Sequence, residues 1–246
     1  MTPHLPAPDP WRVVELQECN STFDIARAEP AWTIVRTVRQ TNGRGRFNRT
    51  WFGEPGGMWA TFNVPLLPAD SPQWGLLPLV AGVAIMRALG HYALPGVRLR
   101  WPNDVLVGKA KLAGILVERP GAAIGSIGIG LNVQNDVQGL AARVQDPPAR
   151  LADYVPQCPG AGQVCMLLAG AISRTYADFV SGGFAALAPE LQAAWGQPLP
   201  VEAQTDTGII SGTFLGIQAD GSPRLAQADG SVLTVPAISI NRLVEL

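Results

Sequence analysis

Lysine is nearly absent from this chain. Sixteen arginines are present but only two lysines, Lys109 and Lys111. The sequence therefore uses Arg where a positive charge merely meets solvent. An ammonium group is a compact point charge that can meet two anions at one place, and the planar guanidinium fork suits that task poorly. Lys111 is accordingly a candidate functional residue, and two lysines on an exposed turn are the alternative explanation.

Cysteine and targeting signals are also scarce. Cys19, Cys158 and Cys165 are odd in number and lack metal-ligand spacing, which favours reduced thiols over disulfides or a zinc site. The first ten residues lack the basic-then-apolar order of a signal peptide. The longest apolar run, at 76–86, is too short to cross a bilayer. We therefore expect a soluble cytoplasmic protein with no membrane partner.

Net charge is small as well. The 246 residues are 47% hydrophobic and 15% charged, with a formal net charge of −1. This balance argues against a disordered chain and against an electrostatic binder of nucleic acid. The length suits one large domain and a small one, and 27 Gly with 22 Pro indicate a loop-rich α/β or α+β protein.

Hydrophobic periodicity divides the chain in two. It predicts strands at 11–17, 33–38, 58–64 and 124–133, and helices at 23–28, 73–92, 162–180 and 187–195. After Gly196 the helical pattern stops. Residues 197–246 predict five or six short strands, broken at Asp206, Asp220-Gly221 and Asp229-Gly230, that form a small barrel.

The stretch 98–118, RLRWPNDVLVGKAKLAGILVE, predicts a hairpin. Apolar runs at 105–107 and 112–117 flank a Gly108-Lys109 turn. The preceding Trp-Pro-Asn-Asp favours a turn that presents Asn103 and Asp104 at the mouth of a sheet. Lys111 lies at the start of the returning strand.

Three other segments could bind a ligand. In residues 40–51, QTNGRGRFNRTW, two glycines allow close backbone approach and three arginines favour an anion such as phosphate. This is not a Walker loop, because no Lys-Ser/Thr follows the glycines, and a solvated hairpin is the alternative. Residues 20–22, Asn-Ser-Thr, offer a helix cap that could also be a polar socket. The glycine spacing in IGSIGIGLNV is not a dinucleotide fingerprint, and Asn132 falls at the end of that strand.

Taken in order, QTNGRGR, WPND, KLAGILVE, GIGLN and the final small barrel resemble the biotin protein ligases. The resemblance covers residues 11–246 and implies an α+β fold. The expected domains are a mixed-sheet catalytic domain of the biotin/lipoate ligase type at 11–195 and an SH3-like β-barrel at 196–246. Residues 1–10 are expected to form a flexible tail.

The resemblance implies a two-step, ATP-dependent ligation. Biotin attacks the α-phosphate of ATP to give biotinyl-5′-AMP, and a lysine of a biotin carboxyl carrier domain then displaces AMP. The expected cofactors are ATP and Mg²⁺, the metal held mainly by the ATP phosphates. The expected partner is a biotin-dependent carboxylase, and the enzyme is a monomer or homodimer. Some family members carry a DNA-binding domain, but the residues before Ser21 are too few for one, so we expect no nucleic-acid partner.

The resemblance also implies the site residues. The expected catalytic residues are Lys111, which bridges the biotin carboxylate and the α-phosphate, and Asp104, Arg44 and Arg46. Asp104, with Asn103, orients or deprotonates the incoming lysine. The expected biotin-binding residues are Ser21, Thr22, Gln40, Gly43, Arg44, Gly45, Arg46 and Lys111. The expected ATP-binding residues are Arg44, Arg46, Arg49, Trp51, Asn103, Lys111 and Asn132.

This chain departs from the family pattern at three places. Phe23 stands where Asn usually follows Ser-Thr, Phe47-Asn48 replaces Arg-Gly, and Gly53-Glu54 replaces Ser-Pro. These changes bear on the behaviour of the loop and on retention of the adenylate. The alternatives are a lipoate or octanoate ligase of the same fold, a non-catalytic biotin or nucleotide sensor, and a nucleic-acid binder using the arginines at 39–49.

Overall fold

A computed structural model describes residues 11–66, 72–140, 144, 146–196 and 198–246. The predicted tail at 1–10 lies outside the described residues.

The larger sheet contains eight strands in the described part of the chain. They are β1 (Arg12–Cys19), β2 (Thr33–Arg44), β3 (Thr50–Gly53), β4 (Met58–Pro65), β5 (Val97–Arg100), β6 (Asp104–Val107), β7 (Ala110–Glu118) and β8 (Ile124–Leu131). Their order is β1-β2-β4-β8-β7-β6-β5, with β3 paired to β2. Only the β1–β2 pair among them is parallel, because α1 (Thr22–Ala26) carries the chain back between these two strands. The predicted mixed sheet is confirmed.

β2 is longer than the sequence predicted. Its expected end was residue 38, but it continues to Arg44 and pairs there with β3, with Gly43 opposite Trp51 and Arg44 opposite Thr50. The expected loop at 40–51 is therefore wrong for most of its length, and only residues 45–49 make the turn. Glycine has a low intrinsic preference for strands, but pairing with β3 holds Gly43 in an extended conformation.

Three longer helices lie in the described residues of this part of the fold: α2 (Leu77–Leu89), α3 (Ala161–Gly182) and α4 (Ala188–Ala194). α2 and α3 pack against each other and against the sheet. With the 3₁₀ turns at its ends, the segment Trp74–Tyr92 is long and apolar enough to span a bilayer by length and composition, contrary to our estimate from 76–86. In this fold it is a core helix, and 61% of its apolar window is buried.

The C-terminal part is a five-stranded antiparallel sheet, as predicted for an SH3-like unit. Its strands are β9 (Leu199–Thr205), β10 (Gly208–Ile217), β11 (Pro223–Ala226), β12 (Val232–Thr234) and β13 (Ile240–Glu245). Turns occur at the three predicted breaks. Val201, Ala203 and Leu225 are buried in the same hydrophobic cluster as α2 and the larger sheet, so one core crosses the predicted boundary at residue 196.

Candidate active site

A cleft of about 520 Å³ opens where the larger sheet meets β13. Most of the predicted site residues line it: Thr22, Gln40, Arg44, Gly45, Arg46, Arg49, Trp51, Asn103, Asp104, Lys111 and Asn132. Ser21 and Gly43 are not among the lining residues. The predicted residues that do line the cleft lie as far apart in sequence as Thr22 and Asn132, and the fold brings them to one place.

Lys111 and Asp104 form an ion pair inside the cleft. Lys111 pairs with Leu106 across the hairpin, two residues from Asp104, so both side chains project from the same face. The Lys111 Nζ lies 2.6 Å from Asp104 Oδ1. The ammonium also lies 5.3 Å from the centroid of the Trp51 ring, within range of a cation–π interaction. The explanation that a lysine merely lies on an exposed turn therefore holds for Lys109 but not for Lys111.

Two further charged residues extend this pair, and sequence reasoning missed both. Arg100 donates to Asp104 Oδ2 at 2.6 Å and makes two hydrogen bonds, at 2.8 and 2.6 Å, to the Asp146 carboxylate. The Arg100 hydrogen bonds hold the pKa of Asp146 below its ordinary value, with smaller contributions from the charges of Lys111 and Arg242. Arg100 could have been found from the sequence, because it directly precedes the Trp-Pro-Asn-Asp motif. Asp146 lies in a loop that has no sequence pattern.

The floor of the cleft is made of glycines. Gly114 of β7 and Gly130 of β8 are directly paired, and the Trp51 indole packs closely against both. A Cβ at Gly130 would stand 2.3 Å from the indole, and a Cβ at Gly128 would stand 2.4 Å from the Phe23 ring. The close approach that these glycines permit is thus made by two aromatic rings of the protein itself.

The end of the cleft near α1 is polar. Gln40 Oε1 accepts hydrogen bonds from Thr22 N at 3.0 Å and Thr22 Oγ1 at 3.3 Å, and Thr22 Oγ1 lies 2.8 Å from Thr61 Oγ1. Ser21 occupies the N-cap position, but its hydroxyl does not cap α1. The Ser21 Oγ is buried and finds no hydrogen-bond partner among the described residues. A buried hydroxyl of this kind is available to a polar ligand.

The three predicted arginines lie in different environments. Arg44 is ion-paired with Asp24 at 3.0 Å and Glu118 at 3.3 Å, and its guanidinium lies 5.4 Å from the centroid of the Phe23 ring. Arg46 reaches Asn103 Oδ1 at 3.4 Å, and burial lowers the pKa of its guanidinium. Arg49 is exposed. Only Arg46 lies next to the Asn103–Asp104 turn.

The two predicted asparagines hold the backbone around Lys111. Asn103 Nδ2 donates to the Ile115 carbonyl at 2.9 Å, which fixes the turn to β7. Asn132 Nδ2 donates to the Ala149 carbonyl at 3.0 Å, and Asn132 Oδ1 accepts from Asn135. Asn132 therefore secures the segment at 146–150 that borders the cleft.

The C-terminal sheet contributes one wall. Asn241, Arg242 and Leu243 of β13 line the cleft. The sheet is fixed there by a two-bond ion pair between Arg98 and Glu245, at 2.6 and 2.5 Å, and by the Trp101 indole, which donates to the Gly221 carbonyl at 3.0 Å.

The carboxylates of the cleft are already paired. Asp104 is bound to Lys111 and Arg100, and Asp146 is bound to Arg100. Across the described ranges, no three His, Cys, Asp or Glu side chains are grouped as metal ligands.

Comparison with known proteins identifies the family. Residues 15–132 match the model of the biotin/lipoate A/B protein ligase family. The biotin–[acetyl-CoA-carboxylase] ligase of Paracoccus denitrificans is 32% identical over 211 residues, which cover 78% of this chain and 82% of that protein. The bifunctional ligase/repressor BirA of Bacillus subtilis is 29% identical over 211 residues, or 82% of this chain, and the chain spans 63% of the length of that relative.

The fold agrees with this assignment. The structure of biotin protein ligase from Aquifex aeolicus in complex with biotin and ATP matches with a TM-score of 0.84 at 24% identity, covering 96% of this chain and 99% of that chain. That likeness supports the arrangement of a mixed sheet followed by an antiparallel sheet. From its motifs, its fold and a relative matched over most of its length, the chain belongs to the biotin/lipoate A/B protein ligase family.

Proposed function

We propose that this protein activates biotin with ATP, forming biotinyl-5′-AMP and pyrophosphate, and transfers the biotinyl group to a lysine of a biotin carboxyl carrier domain. The observation that carries the proposal is the Lys111–Asp104 pair. It sets a single ammonium above Trp51 in a cleft that also contains the arginine-bearing turn and the polar Thr22–Gln40 pair.

The first step joins two anions, the biotin carboxylate and the α-phosphate of ATP. Their repulsion must be offset at the point of contact, and a fixed cation there stabilises the transition state. Lys111 provides this charge by exchanging Asp104 for the substrate oxygens. Arg46 adds a second charge beside Asn103, whereas Arg44 must first leave Asp24 and Glu118 in order to reach the substrates.

The second step needs a lysine of the carrier with its amine free to attack. Asp104 is the carboxylate bound to Lys111, and it lines the cleft. Once Lys111 has moved to the substrate, Asp104 receives and orients the incoming amine. Trp51 and the turn at 45–49 keep water from the acyl-adenylate.

The polar end of the cleft favours biotin over lipoate or octanoate. The ureido ring of biotin has two N–H donors and a carbonyl acceptor, which match Thr22, Gln40 and the buried Ser21 hydroxyl. An alkyl chain or a dithiolane ring would leave the buried Ser21 hydroxyl without a partner, at about 1–3 kcal/mol for a buried polar group.

We infer further that the reaction takes place in the cytoplasm, on a carrier domain of a biotin-dependent carboxylase, by a monomer or homodimer that binds no nucleic acid. Mg²⁺ enters with the phosphates of ATP, since the acidic side chains of the cleft are committed to Lys111 and Arg100. Residues 11–195 form the catalytic domain and residues 196–246 the C-terminal domain.

Exchange of radiolabelled pyrophosphate into ATP tests the first step. We expect exchange that requires biotin and is not supported by lipoate or octanoate. Exchange with lipoate or octanoate but not with biotin would replace the proposal with the alternative ligase, and binding of biotin without exchange would indicate a sensor.

A further inference from the structure

The loop at 146–150 and strand β5 hold Lys111 and Asp104 from behind. Asp146 binds Arg100 with two hydrogen bonds, and Arg100 binds the Asp104 oxygen that does not face Lys111. The four side chains form a chain in which each cation lies next to a carboxylate: Lys111, Asp104, Arg100 and Asp146. All four are largely buried, with exposed side-chain fractions of 24%, 12%, 15% and 24%.

The same loop also holds the backbone of Lys111. The Lys111 N–H donates to the Pro147 carbonyl at 2.7 Å, and the Ala149 N–H donates to the Lys111 carbonyl at 2.9 Å. Asp146 directly precedes this two-bond contact. The loop therefore fixes the main chain of Lys111 through its backbone and fixes the counter-ion of Lys111 through Asp146 and Arg100.

We propose that Arg100 and Asp146 are positioning residues for the ligation: Asp146 fixes the Arg100 guanidinium, and Arg100 fixes the Asp104 carboxylate against which Lys111 is aligned. The proposal rests on the function proposed above. Neither residue needs to touch biotin or ATP for this role.

The requirement for positioning follows from the first step. When Lys111 moves to the substrate anions, Asp104 loses one of its two cations and stays in the cleft as a carboxylate. Arg100 is then its remaining partner, and without Arg100 the uncompensated Asp104 carboxylate would hold Lys111 back from the substrate anions. A guanidinium can bind two carboxylates through separate N–H groups, whereas a lysine at position 100 would offer one point charge.

The chain contains a matched control for such a substitution. Arg87 also binds two carboxylates, those of Asp178 and Glu190, but it joins α2 to α3 and α4 away from the cleft. Arg87→Gln therefore removes the same kind of two-carboxylate ion pair without touching Lys111 or Asp104. Its effect measures the structural cost of losing such a pair.

The test compares Arg100→Gln, Arg100→Lys, Asp146→Asn and Arg87→Gln with the unaltered protein in biotin-dependent pyrophosphate release. We expect kcat to fall roughly tenfold to a hundredfold in Arg100→Gln, which is the range for misplacement of a reacting group by about 1 Å, with KM for biotin changed less than about threefold. Asp146→Asn should give a smaller fall, Arg100→Lys a partial recovery, and Arg87→Gln an unchanged kcat.

Because the chain has only two lysines, the position of Lys111 can also be observed without turnover. Protein labelled with [ε-¹³C]lysine should give one signal from Lys111 and one from Lys109. In Arg100→Gln and Asp146→Asn we expect the Lys111 signal to move while the Lys109 signal stays in place, and in Arg87→Gln we expect neither to move.

The outcomes separate this inference from the proposed function. If the unaltered protein forms no biotinyl-5′-AMP, the proposed function fails, and the lysine spectra still decide whether Arg100 and Asp146 align Lys111. Active Arg100→Gln and Asp146→Asn proteins with unchanged kcat and an unmoved Lys111 signal would overturn the inference. An equal fall of kcat in Arg87→Gln would also overturn it, because general destabilisation would then explain the loss.

Discussion

At the scale of single residues, the scarcity of lysine was the most informative feature of the sequence. Lys109 and Lys111 differ by two positions, yet Lys109 is exposed at the turn and Lys111 is held between Asp104 and Trp51. The hairpin prediction placed Lys111 at the start of the returning strand, and that strand pairs with the one that begins at Asp104. It could not reveal Arg100 and Asp146 as partners, since their pairing joins positions 46 residues apart.

Replacement of Lys111 is the first prediction at this scale. Lys111→Ala should lose adenylate formation while keeping the fold, because the charge between two anions contributes on the order of 3 kcal/mol in the transition state. Lys111→Arg should also be poor, since the fork cannot occupy the same point. Biotin-dependent pyrophosphate release measures both, with Lys109→Ala as the matched control. Near-normal release by either Lys111 variant would refute the assigned role.

The second prediction concerns the dependence of stability on pH. Arg100 holds the pKa of Asp146 below its unfolded value, so this carboxylate stabilises the folded protein above that value, and its contribution is lost as the pH falls through the lowered folded pKa. The window therefore lies below about pH 4. Urea unfolding at stepwise lower pH should show a smaller acid-induced loss of stability in Asp146→Asn than in the unaltered protein. Equal losses would show that the ion pair does not contribute.

At the scale of elements, the strands β7 and β8 explain why glycine recurs in KLAGILVE and GIGLN. Gly114 and Gly130 are paired, and the absence of a Cβ at both leaves room for the Trp51 indole, while Gly128 leaves room for the Phe23 ring. The sequence shows only that glycines in a strand permit a close approach. It could not tell that the approaching groups are side chains of this chain, because that depends on how β3 and α1 fold over the sheet.

A side chain added at Gly130 should displace the Trp51 indole. Gly130→Ala would place a methyl group 2.3 Å from the indole, so the ring must shift, at a cost of about 1–3 kcal/mol for overpacking. We expect a lower temperature of unfolding, altered tryptophan fluorescence and weaker adenylate formation. Gly121→Ala is the control, because nothing lies within 4 Å of its Cβ position. Unfolding curves and emission spectra that match the unaltered protein would contradict this packing.

The turn that follows β2 should change its protease sensitivity when ligands bind. It is short in the free protein, with the Gly45 N–H bonded to the Arg49 carbonyl, and it leaves Phe47 53% exposed. Ordering costs roughly 1–2 kcal/mol per residue, which charge-assisted hydrogen bonds to a nucleotide can offset. Trypsin should cut after Arg44, Arg46 or Arg49 more slowly when biotin and ATP are present. Equal rates with and without the ligands would show that the turn does not close.

At the scale of the whole molecule, the C-terminal sheet packs on the part that contains the larger sheet through a shared core, and it also lines the cleft. Buried residues of both parts belong to one hydrophobic cluster, and the ion pair of Arg98 with Glu245 connects β5 to β13. The change of sequence texture at Gly196 predicted the sheet and the positions of its turns. It gave no sign that β13 would line the cleft, because that contact depends on how the two sheets dock.

Removal of residues 197–246 should therefore lower stability as well as activity. It would expose Leu76 and Leu79, which border Gly221, and would remove the carbonyl that accepts the Trp101 N–H. We expect a lower unfolding temperature, weak adenylate formation and strongly impaired transfer to the carrier. Transfer at the full rate by the truncated protein would show that the sheet is dispensable.

The most direct test of the central proposal is the intact mass of a biotin carboxyl carrier domain after incubation with this protein, ATP, Mg²⁺ and an equimolar mixture of biotin, lipoate and octanoate. We predict a single added biotinyl group on one lysine of the carrier, absent when ATP is omitted or when Lys111→Ala replaces the unaltered protein. An unmodified carrier, or a carrier bearing lipoyl or octanoyl in place of biotinyl, would contradict the proposal.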